Sequence, residues 1–115
     1  MLGKITYNVH SRYRLGNEPV SLERFEAITK GVERGDLIGL PVYAYVHSGE
    51  TIATTPFSCP FDSGRSGWVY CTLEEALKYG EPTPDPLEAA RERLRKDVQD
   101  FDRLILNPEP EDNGD

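Results

Sequence analysis

A chain of 115 residues and 13.0 kDa has room for one hydrophobic core, because dividing it would leave each half too little apolar volume to offset chain entropy. Hydrophobic residues at 37 % and aromatics at 10 % fill such a core and exclude global disorder. The formal net charge of −7 argues against direct nucleic-acid binding, which needs Lys and Arg to displace counterions from the phosphates, and favours a protein partner with a basic surface.

The N-terminal pattern is that of a strand. Ile5, Tyr7 and Val9 alternate with Thr6 and Asn8, which predicts a half-buried strand over Lys4 to Arg12, and Gly16-Asn17 supplies a turn. Ser21 suits an N-cap, Glu23 complements the positive helix end, and Leu22, Phe25, Ile28 and Val32 share one face of a helix that Gly35 ends. Pro41 to Val46 is rich in β-branched and aromatic residues, and Ser48-Gly49 turns it into Thr51 to Thr55 as a hairpin. Phe57 to Gly67, with two Gly, Pro60 and three Ser, reads as a loop before a Trp68-to-Cys71 strand.

Thr72-Leu73-Glu74-Glu75 matches a capping box and predicts a short helix to Tyr79, closed by Gly80. Three prolines in Glu81 to Pro86 make a stiff connector, and Pro86 then opens the last helix. Leu87, Ala90, Leu94, Val98, Phe101 and Ile105 form an apolar stripe along it, either core or a seam for a partner or a second copy. The expected fold is α+β: a small antiparallel sheet of three to four strands with two to three helices, the longest at the C-terminus. It occupies 1–108, followed by an acidic tail over 109–115.

Glu109, Glu111, Asp112 and Asp115 give that tail four carboxylates, leaving −3 on 1–108; the tail either stays solvated or engages a basic surface. No apolar run of about 18 residues offers a membrane span, and the N-terminal residues lack a signal peptide's apolar core, which predicts the cytoplasm. Cys59 and Cys71 are expected there as reduced thiols.

The chemistry-bearing residues gather between His47 and Trp68. A thiol-dependent enzyme or ligand-binding protein would use Cys59 as nucleophile, His47 as its base and Asp62 to orient the imidazole. Cys59 between Ser58 and Pro60 shows no helix N-terminus to lower its pKa, so a buried, inert cysteine is the simpler account. Zinc ligation by His10, His47, Cys59 and Cys71 lacks the close ligand pair that such sites use, and no glycine loop cradles a phosphate, so neither metal nor cofactor is expected. Asp62-Ser63-Gly64 suits a plain turn; as a recognition loop, the region offers Phe57, Phe61 and Trp68 as apolar anchors with Asp62 and Arg65 as polar contacts. His10 to Asn17 sets Arg12 and Arg14 beside Tyr13, either solvated strand-end residues or a small phosphate contact.

The strings Ser11-Arg12-Tyr13-x-Leu-Gly-Asn, Val42-Tyr-x-Tyr-x-His47-Ser-Gly and Thr54-Thr-Pro-Phe-Ser-Cys59-Pro-x-Asp62-Ser-Gly resemble a family of small phage and prophage proteins over residues 2–72. Phe61 stands where the family commonly has Trp, a conservative departure. The resemblance implies a mobile-element origin and action inside a bacterial host, by a non-enzymatic protein that binds a host nucleic-acid-directed defence complex such as a CRISPR effector subunit. Its contacts would be Phe57, Phe61, Asp62, Arg65 and Trp68 with Glu109, Glu111 and Asp112 of the tail. The alternatives are the Cys59, His47, Asp62 enzyme and a phage structural or regulatory dimer.

Overall fold

The computed structural model describes residues 1–80 and 83–108. Its strands are β1 (Lys4–Asn8), β2 (Glu18–Val20), β3 (Leu37–Val46), β4 (Glu50–Ala53) and β5 (Ser63–Thr72), in the sheet order β2-β1-β5-β3-β4. The fold is α+β, but the sheet has five strands rather than three or four, and β1 pairs with β2 in parallel while the other pairings are antiparallel. Three residues around Pro19 carry no local strand signal. What orders β2 is non-local: Thr6 Oγ1 donates to the Glu18 carbonyl at 2.9 Å and the Tyr70 hydroxyl to the Glu18 carboxylate at 2.5 Å. Burial and that carboxylate together push the Tyr70 hydroxyl up to about 12.

β1 stops at Asn8 instead of Arg12 because the chain must turn back to start β2 alongside it, and the turn drops Tyr13 and Leu15 into the core. β3 begins at Leu37, before Pro41. A proline is tolerated there because β3 has a neighbour on one side only until β4 joins it at Tyr43.

Helix α1 (Leu22–Arg34) starts where Ser21 Oγ accepts the Arg24 N–H and stops where Gly35 takes φ 84°, a left-handed conformation that suits glycine. Helix α2 (Leu73–Lys78) carries the reciprocal capping box: Thr72 Oγ1 accepts from the Glu75 N–H at 3.0 Å and Glu75 Oε1 from the Thr72 N–H at 2.8 Å. The amide bond from Thr72 holds the Glu75 carboxyl below its usual range. Helix α3 (Pro86–Phe101) is capped by Asp85, which accepts the Glu88 N–H.

Alternation along the strands sends Ile5, Ile38, Val42, Ala44, Val69 and Cys71 to one face, where Ala76 of α2 and Ala90, Leu94 and Val98 of α3 cover them. α1 packs on the other face near β1 and β3, burying Ile28. At the centre of the first layer, Asp97 is 0 % exposed. Its Oδ2 accepts the Leu2 and Gly3 N–H groups at 3.0 and 2.7 Å, and its Oδ1 accepts Arg93 Nε and Nη2, both at 2.8 Å. Gly3 must lack a side chain, since a Cβ there would lie 2.4 Å from Leu94 Cδ2.

After Phe101 the chain adds a π turn over Asp102–Leu106, closed by the Asn107 N–H on the Asp102 carbonyl at 2.7 Å. The extra residue in the turn rotates the apolar stripe, so Leu106 packs against the core and Ile105, expected there, faces out. The same turn guards the sheet edge. Asp102 Oδ1 accepts Thr51 Oγ1 at 2.6 Å and the Ile52 N–H at 3.0 Å, and Asn107 Nδ2 donates to the Glu50 carbonyl at 2.7 Å. The opposite edge is β2, blunted by its shortness and Pro19.

Two substitutions test this frame. Asp97→Ala leaves the Leu2 and Gly3 N–H groups without their acceptor and Arg93 with Asp100 alone, and is expected to cost about 2–3 kcal/mol, read as a lower urea midpoint. Asp102→Ala strips the β4 edge of its acceptor; a cost of about 1 kcal/mol and concentration-dependent self-association in light scattering are expected.

Candidate functional site

The hairpin of β3 and β4 turns through His47, Ser48 and Gly49, with Ser48 rather than the glycine taking the positive φ, 55°. From this turn His47 Nδ1 reaches Asp62 Oδ2 at 3.1 Å. Cys59 Sγ approaches the same oxygen at 3.9 Å, and Ser63 Oγ donates to the Cys59 carbonyl. His47, Cys59 and Asp62 are therefore together, but with the carboxylate between the other two. A thiol nucleophile needs imidazole next to sulfur to take its proton, and here the thiol donates to Asp62 while the imidazole nitrogen sits against the same carboxylate oxygen instead. The arrangement suits a loop staple.

The staple continues on the backbone. The Val46 N–H donates to the Asp62 carbonyl at 2.8 Å, and Arg12 Nη2 to the Phe61 carbonyl at 3.2 Å. Arg12 itself stacks on the ring of the buried Tyr13, 5.1 Å from its centroid. Between these clamps the Phe61 side chain stands 81 % exposed. A large apolar side chain held out on a fixed backbone loses little further entropy when it is bound.

Beyond Phe61 the sequence Ser63-Gly64-Arg65-Ser66-Gly67 is strand, not the loop its glycines and serines suggest. The pairing of β3 with β5 slips by one residue, from Val42 opposite Gly67 to Tyr43 opposite Arg65, so Ser66 is a bulge. In a regular strand, positions 65 and 68 point to opposite faces. The bulge puts them on the same one, and the Arg65 guanidinium lies 4.2 Å from the Trp68 ring centroid and 5.9 Å from that of Tyr43. Arg65 Nε donates to the Gly67 carbonyl at 2.8 Å, and Trp68 Nε1 to Thr29 Oγ1 of α1 at 2.9 Å. Desolvation in this stack lowers the Arg65 pKa, opposed by Tyr43. Tyr45 adds Phe57 at 5.7 Å and His47 at 6.3 Å between centroids. The half of this sheet face that α1 leaves open is thus a band of rings around one cation.

The other expected residues lie elsewhere. Cys71 is in the core under α3, where burial pushes its thiol up to about 11, and His10 is exposed beyond β1. Among the described residues no group of three or more His, Cys, Asp and Glu side chains is placed to hold a metal ion. None of the described helices is long and apolar enough to cross a membrane. Glu109, Glu111 and Asp112 lie outside the described residues.

No family model, curated protein or solved structure gives a significant match to this chain. The site is therefore read from its own geometry. Sequence reasoning named Phe57, Phe61, Asp62, Arg65 and Trp68 but missed Tyr43 and Tyr45, whose alternation in a strand reads as packing, and Arg12 as the clamp on Phe61. The charged run beside Tyr13 was the available signal for the clamp.

The two thiols are expected to part company in a reactivity assay. At pH 8 a disulfide reagent should label Cys59, while Cys71 reacts only on unfolding. Because the folded pKa of Cys71 is raised, from 9.0 to about 11, its contribution to stability is complete below pH 9 and is lost as pH rises through about 11. Replacing Cys71 by Ala should remove that part of the alkaline loss in a denaturation series.

Proposed function

We infer that this protein is a non-enzymatic phage protein whose recognition surface is the Phe61 loop with the adjoining ring band, and that it blocks a host nucleic-acid-directed defence complex such as a CRISPR effector. The observation that carries the reading is the Phe61 side chain, 81 % exposed on a loop clamped through Arg12, Val46, His47 and Ser63. Interface energy concentrates in a few rigid aromatic and Arg side chains, and Phe61, Tyr43, Tyr45, Trp68 and Arg65 are of that kind.

Two lines support the choice of partner. The motif strings around Tyr13, His47 and Cys59 resemble small phage proteins, which act inside the bacterial host. The acidity of the chain suits the basic channels that nucleic-acid-directed effectors present. Neither line calls for a cofactor, a metal or contact with nucleic acid itself.

The test is to mix the purified protein with CRISPR effector complexes, follow co-elution in gel filtration and measure loss of target-DNA binding. Co-elution with loss of target binding is expected, and Phe61→Ala should weaken the complex by about 2 kcal/mol, some thirtyfold, with an unchanged melting temperature. An effector panel that neither co-elutes nor loses target binding would sink the assignment of the partner. A Phe61→Ala variant that binds as well as the parent would sink the assignment of the surface.

A further inference from the structure

We propose that the ring band around Arg65 seats an extended segment of a partner protein that carries Asp or Glu two residues away from an aromatic side chain. The proposal rests on the reading of this face as part of the recognition surface and names the chemistry that the face takes. Arg65 is exposed, yet its side chain is fixed: Nε donates to the Gly67 carbonyl at 2.8 Å, and the guanidinium stacks 4.2 Å from the Trp68 ring centroid. Among the described residues its two Nη groups have neither a hydrogen-bond acceptor nor an ion-pair partner, whereas Arg91, Arg93, Arg95 and Arg103 each face a carboxylate. The donors that remain are the parallel pair that a carboxylate accepts with both oxygens. Desolvation among the rings lowers the Arg65 pKa, and a partner carboxylate returns the stabilisation that the guanidinium loses there.

Strand β3 sets the second position. Tyr43, whose ring centroid lies 5.9 Å from the guanidinium, and Tyr45 are alternate residues on one side of β3. Their step of about 7 Å is the one that an extended segment repeats between its own alternate side chains. Beside Tyr45 lies a depression of about 200 Å³, lined by Tyr45, His47, Gly49, Glu50, Thr51 and Asn107. The Tyr45 and His47 rings, 6.3 Å apart between centroids, suit a third ring there, and Glu50 disfavours a second acidic side chain. One guanidinium balances one carboxylate; a phosphate brings about twice that charge to a chain whose formal net charge is already −7. A single acidic side chain is compatible with a partner whose surface is basic as a whole.

The probe is a fluorescein-labelled, amidated peptide of sequence Gly-Ser-Glu-Ala-Phe-Ser-Gly, titrated with the full chain and read by fluorescence anisotropy. Binding of the unlabelled peptide is also expected to change the emission of Trp68, the one tryptophan of the chain, in a saturable way. Gln in place of the peptide's Glu should weaken binding about tenfold, and Ala in place of its Phe about fivefold. Arg65→Lys keeps the charge but not the fork and should also cost about tenfold, with a melting temperature equal to the parent's. Should Arg65→Lys lower that temperature, the Gln peptide tests the same contact on the unaltered protein. No saturable binding of the Glu peptide overturns the proposal, and so does a Gln peptide that binds equally well, since rings alone would then account for the affinity. An Ala peptide that binds as well as the Phe peptide overturns the second position. A phosphoserine peptide that binds more tightly than the Glu peptide overturns the choice of carboxylate in favour of phosphate. A negative effector panel with a positive Glu titration removes the partner named above and leaves this contact standing; effector binding without any Glu preference does the reverse.

Discussion

The Asp97 carboxylate is closed off from water, and the way its charge is matched determines how the two ends of the chain meet. Arg93, one turn earlier on α3, supplies two of its hydrogen bonds, and the amides of Leu2 and Gly3 supply the others. An isolated carboxylate in that position would cost far more than any single contact returns, so the fully matched arrangement is the only one in which α3 can lie on the sheet. Once Gly3 is held there, β1 enters beside β5, with Ile5 opposite Val69. The pair provides register as much as stability. Leu94 and Val98 flank Asp97 on the same helix, so apolar burial and the polar anchor act through one element.

From β1 the constraint passes through β5 to the face that carries the ring band. Thr6 stands opposite Trp68 and Tyr7 opposite Gly67, and there the pairing with β1 ends, one residue before the Ser66 bulge. The bulge reverses the side-chain alternation of the remaining strand. Arg65 therefore shares a face with Trp68 and Tyr43, while Gly64, brought to the core face, lets the Tyr13 ring lie close to β5. Tyr13 in turn carries Arg12, which holds the Phe61 carbonyl. One inserted residue thus sets both the ring band on one face and the clamp beneath Phe61.

What was legible in the sequence followed how local its cause is. Ser21, the Thr72-to-Glu75 box and Pro86 act on amides within one turn, and all three helices begin where those residues predicted. β2 and the first half of β5 were not legible. Glu18 is ordered by Tyr70, far along the chain, and a bulged strand needs the same Gly and Ser residues as a loop. Ile105 continued a period of three and four that the π turn interrupts, for a reason seated on another element: Asp102 reaches across to β4. At the candidate site, spacing permitted a grouping of His47, Cys59 and Asp62 but did not require it. Their order was not readable either, because it depends on the hairpin turn directing His47 at the carboxylate rather than at the thiol.

Net charge is a count, and the fold redistributes it. Asp97 and Asp102 accept from distant N–H and O–H groups and Asp62 from the nearby Cys59 thiol, so part of the acidity consists of internal structural bonds rather than field presented to a partner. Glu18, Glu74, Glu88 and Glu92 are each set beside a cation. The sequence sets four further carboxylates after Pro108, with no Lys or Arg from Leu104 onward. An acidic protein of this kind does not repel or attract evenly. In general, coupling a long-range, salt-sensitive force to a short-range, salt-insensitive one at a single place lets a small protein be both quickly captured and specifically seated.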